Sequence, residues 1–187
     1  MSALPELPEW AVVTADRAAH IARVAALVDG WARARNVGGA EAARWHRAAI
    51  LHDALRDAPP EVLGRYAPKG DWPASLWHGP AAAAAAAKHG EQDAGVLDAI
   101  RYHSVGWADW DSAGRMLFLA DYLEPGRTHL RKERALLAAR VSAEPEAVLR
   151  DVVRLRMTWL LERSRPIRME TWELWNRLAA GDSSSSD

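Results

Sequence analysis

The sequence predicts an all-α fold, a single helical bundle with additional C-terminal helices. Apolar residues recur at three- and four-residue spacing along most of the 187-residue chain, and alanine and leucine are plentiful. No alternating strand pattern of any length interrupts them. Proline and glycine fall between the periodic runs, where they stop helices. The length suits one domain: residues 1–13 form an N-terminal segment, 14–180 the domain, and 181–187 (GDSSSSD) a disordered tail.

Taken in order, Thr14 is the expected N-cap of a first helix, TADRAAHIARVAALVDGWARA, which ends near Gly38-Gly39. On it His20, Val24, Leu27 and Trp31 share a stripe, so His20 faces inward. A second helix is expected from Ala40 to Asp57, stopped by Pro59-Pro60. There Trp45, Ala49 and His52 line up, with Asp53 about 100° round from His52. Residues 60–76 read as loop and short helix. Pro80 suits the first turn of a helix through AAAAAAAKHG that Gly90 ends, which puts His78 at its mouth.

A fourth helix, Asp93 to His103, carries Val96, Ala99, Ile100 and His103 in register. Ser112 is the expected cap of a fifth, SAGRMLFLADYLE, ended by Pro125-Gly126. Leu117 sits one turn before Asp121, so that carboxylate lies among apolar neighbours and needs a partner, either a metal or an arginine such as Arg115. Further helices follow over Arg131–Ala139, Pro145–Arg163 and Glu170–Ala180.

Composition narrows the chemistry. With no cysteine, thiolate zinc sites, iron–sulfur clusters and cysteine nucleophiles are excluded, so any metal rests on imidazole and carboxylate. A net charge of −1 gives no broad basic surface for nucleic acid. The start, MSALPELPEWAVV, is acidic and proline-bearing, unlike a signal peptide, and no apolar run approaches the ~20 residues that span a bilayer. The expectation is a cytoplasmic protein that binds neither nucleic acid nor membrane; a homodimer is left open. Ten tryptophans stand against one phenylalanine. Most read as core or groove anchors, with Trp107 and Trp110 as candidates for stacking on a nucleobase.

Singly, a histidine on an apolar helix face is more often a core residue than a ligand. The coincidence is what points to metal: His20, His52, Asp53, His103 and Asp121 fall on inward faces or ends of helices, and His78 just before one. Six such donors exceed one catalytic ion's needs and suit two metals sharing a carboxylate. His46 beside Arg44 and Arg47, His89 beside Lys88, and His129 in a basic loop read as non-ligands.

The order His20, His52-Asp53, Asp121 resembles the HD-domain metal-dependent phosphohydrolase superfamily. His78 in LWHGP and His103 in AIRYHS are similar to its dinuclear branch. The blocks RAAHIARVA, AAILHDALR, WHGPAAA, VLDAIRYHSVG, FLADYLEPGR and ETWELWNRLA resemble, in order, the YqeK-type symmetrical diadenosine tetraphosphate hydrolases. That resemblance spans nearly the whole chain, and the ADYLEPGR block is its most specific part. It implies an HD-domain fold with two divalent metals, iron foremost and Mn, Ni, Co or Zn as alternatives. The implied ligands are His20, His52, Asp53, His78, His103 and Asp121, with Asp53 as the bridge.

The implied reaction is attack by a metal-bridging hydroxide on a central phosphorus, giving two ADP. Arg17, Arg127 and Glu124 would support substrate, and Asp53, Arg127 and Arg56 the chemistry. Three positions depart from the family: Arg56 replaces a common lysine, alanines replace a small glycine after His78, and Ser104 replaces a common threonine. Arginine grips phosphate in bidentate fashion but does not donate a proton near neutral pH. The alternatives are an HD nucleotidase or nucleoside di- or triphosphate hydrolase using the same metals, and a non-catalytic nucleotide-sensing module.

Overall fold

The computed structural model describes residues 6–67 and 72–183, and every regular element among them is helical. Helix α1 spans Ala15–Ala34, with Thr14 Oγ1 accepting from the Arg17 N–H at 3.3 Å as its N-cap. Its inward stripe buries Ile21, Val24, Val28 and Trp31 together with His20.

Helix α2, Gly39–Leu51, is shorter than its periodicity predicts. Beyond Leu51 the backbone tightens into successive i→i−3 bonds: Ala54 to Leu51, Arg56 to Asp53 and Ala58 to Leu55. This tightened segment carries His52 and Asp53. The short α3, Pro60–Leu63, and a single 3-10 turn, Ala74–Leu76, follow.

Helix α4, His78–Lys88, is alanine-rich, and Ala81, Ala82, Ala83, Ala85 and Ala86 are all buried. Small side chains allow close approach to α5, Ala94–Tyr102. Contact is tightest at Gly79, where an added Cβ would stand 2.8 Å from the Arg101 carbonyl oxygen and 3.3 Å from His103 Cε1. Only a residue without a side chain seats His78 beside His103 here.

Helix α6, Ser112–Leu123, is the central element and packs against α1, α2, α5 and the later helices α7, Arg131–Arg140, and α8, Pro145–Glu162. Its cap is Asp111, not Ser112, as Asp111 Oδ1 accepts from Ala113 N–H at 2.9 Å. The Ser112 hydroxyl turns instead to Glu41. Arg44 on α2 ties together the capping carboxylates of two helices, Asp93 before α5 at 2.6 Å and Asp111 before α6.

The last helix, α9, spans Met169–Ser183 and so runs three residues into the expected tail; 184–187 lie outside the described residues. Helices α8 and α9 pack on each other and grip the turn after His103. Thr171 Oγ1 donates to the Val105 carbonyl at 2.5 Å, and buried Leu174 lies over Gly106.

The tryptophans divide as burial dictates. Trp31, Trp45 and Trp110 are buried, with indole N–H groups bonded to the Ala138 carbonyl, Glu41 and the Asp98 carbonyl. Trp110 is therefore core and unavailable to a nucleobase. Trp107 is already stacked on Tyr102, with ring centroids 4.4 Å apart.

Candidate metal centre

Three helix ends and two helix interiors bring all six predicted donors to one place. His20 comes from the middle of α1, His52 and Asp53 from the tightened end of α2, His78 from the start of α4, His103 from the end of α5 and Asp121 from α6. They form two triads, His20–His52–Asp121 and Asp53–His78–His103; the donor atoms of each lie within 4.8 Å of one another.

Asp53 joins the triads. Its Oδ2 lies 3.7 Å from His20 Nε2 and 3.6 Å from His52 Nε2. Its Oδ1 lies 3.5 Å from His78 Nε2 and 3.4 Å from His103 Nε2. One carboxylate oxygen thus faces each group, as a carboxylate shared by two cations must.

The imidazoles are oriented from behind. His52 Nδ1 bonds the Ala49 carbonyl at 2.8 Å, and His103 Nδ1 the Ile100 carbonyl at 2.7 Å. A carbonyl only accepts, so both rings carry their proton on Nδ1 and present a lone pair at Nε2. Glu124 Oε1 backs His20 Nδ1 at 3.3 Å. Nε2 of His20, Nε2 of His52 and Oδ1 of Asp53 are buried without any hydrogen-bond partner. Orphaned buried donors and acceptors are costly, and converging ones of this chemistry fit divalent cations.

Electrostatics separate the rings. Burial pushes His52 down to about 4 and His78 down to about 3, with neighbouring His103 adding to both, so each is neutral at pH 7. Burial acts on His20 in the same direction, but the carboxylates of Asp121, 3.2 Å from Nε2, and Glu124, 3.3 Å from Nδ1, outweigh it and lift His20 to about 9. Asp53 and Asp121 are also opposed by burial, yet the surrounding histidines, and Arg127 beside Asp121, hold both below the usual carboxylate range. Glu124 is drawn down to about 2 against its burial by His20 and Arg23.

The predicted accessory residues also gather here. Arg17 Nη1 donates to Asp53 Oδ2 at 2.8 Å. Arg127 Nη2 donates to Asp121 Oδ1 at 2.5 Å, so Asp121 is partnered by Arg127, while Arg115 pairs with Glu146. Glu124 has Arg23, at 2.5 Å, and His20 as its main partners; Arg127 Nε is 4.0 Å away. Arg56 Nη1 lies 3.2 Å from His78 Nδ1. The other histidines stay outside: His46 pairs with Asp29 at 3.0 Å, His89 stacks on Trp10, and exposed His129 reaches only the rim of a neighbouring cavity.

Sequence reasoning missed Arg23 and Arg156. Both left a signal, an arginine on an inward stripe: Arg23 one turn from His20, and Arg156 in register with buried Leu149 and Val152.

The HD domain profile matches residues 17–126, a span containing every one of the six donors. The chain belongs to the HD-domain family. Its HD domain is a divalent-metal-binding phosphohydrolase unit. The protein is similar to a Bacillus subtilis protein named bis(5'-nucleosyl)-tetraphosphatase, symmetrical, at 28% identity over 151 residues, covering 76% of this chain and 80% of the relative. A Halalkalibacterium halodurans protein of the same name is 33% identical over 89 residues, covering 48% of this chain and 46% of the relative. The HD-domain fold also matches the crystal structure of a predicted HD superfamily hydrolase involved in NAD metabolism from Clostridium acetobutylicum. The TM-score is 0.78 over 90% of this chain and 91% of that one, at 23% identity.

Proposed function

We propose that the protein hydrolyses dinucleoside tetraphosphates symmetrically, converting diadenosine tetraphosphate and water to two ADP with two divalent metals bound. The observation carrying this reading is Asp53, with one carboxylate oxygen turned to each histidine group. The names of the B. subtilis and H. halodurans relatives supply the substrate class. In this reading His20, His52 and Asp121 would hold one cation and His78 and His103 the other, with Asp53 serving both. Nitrogen and oxygen donors without thiolate suit iron, the preferred assignment, and also Mn, Co, Ni or Zn. The pair of cations supplies Lewis acidity toward phosphate oxygens and lowers the pKa of water toward 7.

The chain's own residues do the rest. Arg17 and Arg127 stand at the carboxylate edge, where each can turn a guanidinium face to a phosphate oxygen while still paired with Asp53 or Asp121. Glu124 fixes the His20 ring through Nδ1 and is itself anchored by Arg23 and the Gly126 N–H. Arg56 has a conditional role. A guanidinium only donates, so its contact with His78 Nδ1 needs that nitrogen unprotonated, whereas a ligating Nε2 needs the proton on Nδ1. With His78 ligating through Nε2, Arg56 would have to give up this contact and would be free to steady phosphate. A nucleotide substrate supports a cytoplasmic setting; no helix among the described residues is long and apolar enough to cross a membrane.

The test is product chromatography after anaerobic iron or manganese loading. ADP as sole product supports the proposal. ATP with AMP refutes symmetric cleavage, and phosphate released from mononucleotides alone moves the assignment to a nucleotidase. Fewer than one bound metal per chain after loading favours a non-catalytic sensor.

A further inference from the structure

Beside the metal centre, between α6, α7 and α8, lies a second cavity of about 400 Å³. It adjoins the metal cavity: His103, Asp121, Arg127 and Arg156 line both. Its walls are mixed. Phe118, Tyr122, Trp159 and neighbouring leucines give apolar surface, while Arg134 and Arg156 project cationic groups.

These two arginines differ from Arg17, Arg23 and Arg127 in what they face. Arg17, Arg23 and Arg127 each face a carboxylate. Arg134 and Arg156 make no ion pair among the described residues. Each donates instead to a main-chain carbonyl, Arg134 to Tyr122 and Arg156 to Ser104, and each has a buried Nε without a partner. Arg134 also lies over the Tyr122 ring, 4.2 Å from its centroid. A carbonyl satisfies a donor and fixes its direction without neutralising its charge. Burial accordingly pushes both guanidinium groups below their ordinary range. Cations so held, with donors unspent, are complementary to an anion that enters from solvent.

We propose that this cavity binds one nucleoside diphosphate half of the substrate, with Arg156 and Arg134 gripping its phosphates and the base lying toward Trp159 and Tyr122. The assignment of the nucleotide rests on the tetraphosphatase reading; the anion site rests on the two unneutralised arginines. Orientation follows from the shared wall. Arg156 stands where the two cavities meet, so the phosphate end lies toward the metal centre and the aromatic side chains receive the nucleoside. Arg156 then serves as a specificity residue that holds phosphate beyond the metals' reach.

Calorimetric binding of ADP, pyrophosphate and adenosine to manganese-loaded protein tests this. Glutamine at either position keeps a donor for the carbonyl while removing the charge. Arg156→Gln and Arg134→Gln should each weaken ADP and pyrophosphate binding about tenfold or more and leave adenosine binding unchanged. Arg156→Lys should recover part of the loss. ADP binding by the wild type should also weaken as salt rises from about 0.05 to 0.5 M.

Two results overturn the proposal: ADP affinity within twofold of wild type in both glutamine variants, or equal losses for adenosine, which would mark a structural role. Salt-independent ADP binding by the wild type overturns it without any variant. Cleavage to ADP with unchanged binding in the variants would sink this site and spare the proposed reaction. Charge-dependent ADP binding without cleavage of diadenosine tetraphosphate would do the reverse.

Discussion

Replacing Asp53 by asparagine keeps the side chain's size and removes the charge that faces both histidine groups. Asp53 stands 3.4–3.7 Å from four imidazole nitrogens, so one substitution reaches both proposed cations, whereas loss of any single histidine reaches one. Leaving a buried charge without its partner costs about 3–5 kcal/mol, or roughly a hundredfold to a few thousandfold in affinity. A cation present at 100 times its Kd stabilises the folded state by about 2.7 kcal/mol. At roughly 2–4 °C per kcal/mol for a domain of this size, two ions together raise Tm by about 10–20 °C.

A hundredfold weakening puts the same concentration near Kd, where each ion contributes only about 0.4 kcal/mol and the whole rise shrinks to a few degrees. Asp121→Asn touches one triad and should keep about half the rise. Calorimetric melts in chelator and in manganese, with metal per chain by mass spectrometry, give both readings. Two metals and a full rise in Asp53→Asn, or equal effects of Asp53→Asn and Asp121→Asn, would refute the bridge.

Other expectations follow from the same geometry. His20 sits near 9 while its neighbour His52 sits near 4, so at neutral pH a proton competes with a cation for His20. Affinity of the His20–His52–Asp121 triad should fall up to tenfold per pH unit below about 9; a metal titration flat between pH 7 and 9 would count against this. In the metal-free protein the raised His20 stabilises the fold below its unfolded value of 6.5, and that contribution disappears as pH rises through about 9; chelator-treated melts in His20→Gln should lose this trend. Gly79→Ala would drive a Cβ into the Arg101 carbonyl, costing about 1–3 kcal/mol and loosening the metal at His78 and His103 before the other. Arg56→Met removes the competing donor at His78 and should tighten metal binding there about tenfold while raising KM; weaker metal binding would show that Arg56 supports the ring rather than opposing ligation.

The cluster of six donors was legible because helical periodicity is a strong signal and histidine or aspartate on an inward stripe needs a reason to be there. The pairing of donors into triads was not, since it depends on the backbone tightening after Leu51, where turn residues give no pattern. The cap of α6 was misplaced by one residue because serine and aspartate stand side by side at 111–112 and both can cap; Asp111 wins by also meeting Arg44. Arg156 went unnoticed because an arginine among leucines reads as a surface residue until α8 is seen to cross the site. Trp110 followed the ligand histidine closely in sequence, yet its indole N–H bonds the Asp98 carbonyl and its ring joins the core.

The hold of the last two helices on the turn after His103 bears on how much chain the active unit requires. The shared family signature stops at residue 126, but the peptide following that histidine is braced by Arg156, Thr171 and Leu174. A fragment ending with the signature would retain every donor atom and lose the outer brace of one of them. The packing that supports this turn therefore reaches some fifty residues past the recognisable signature.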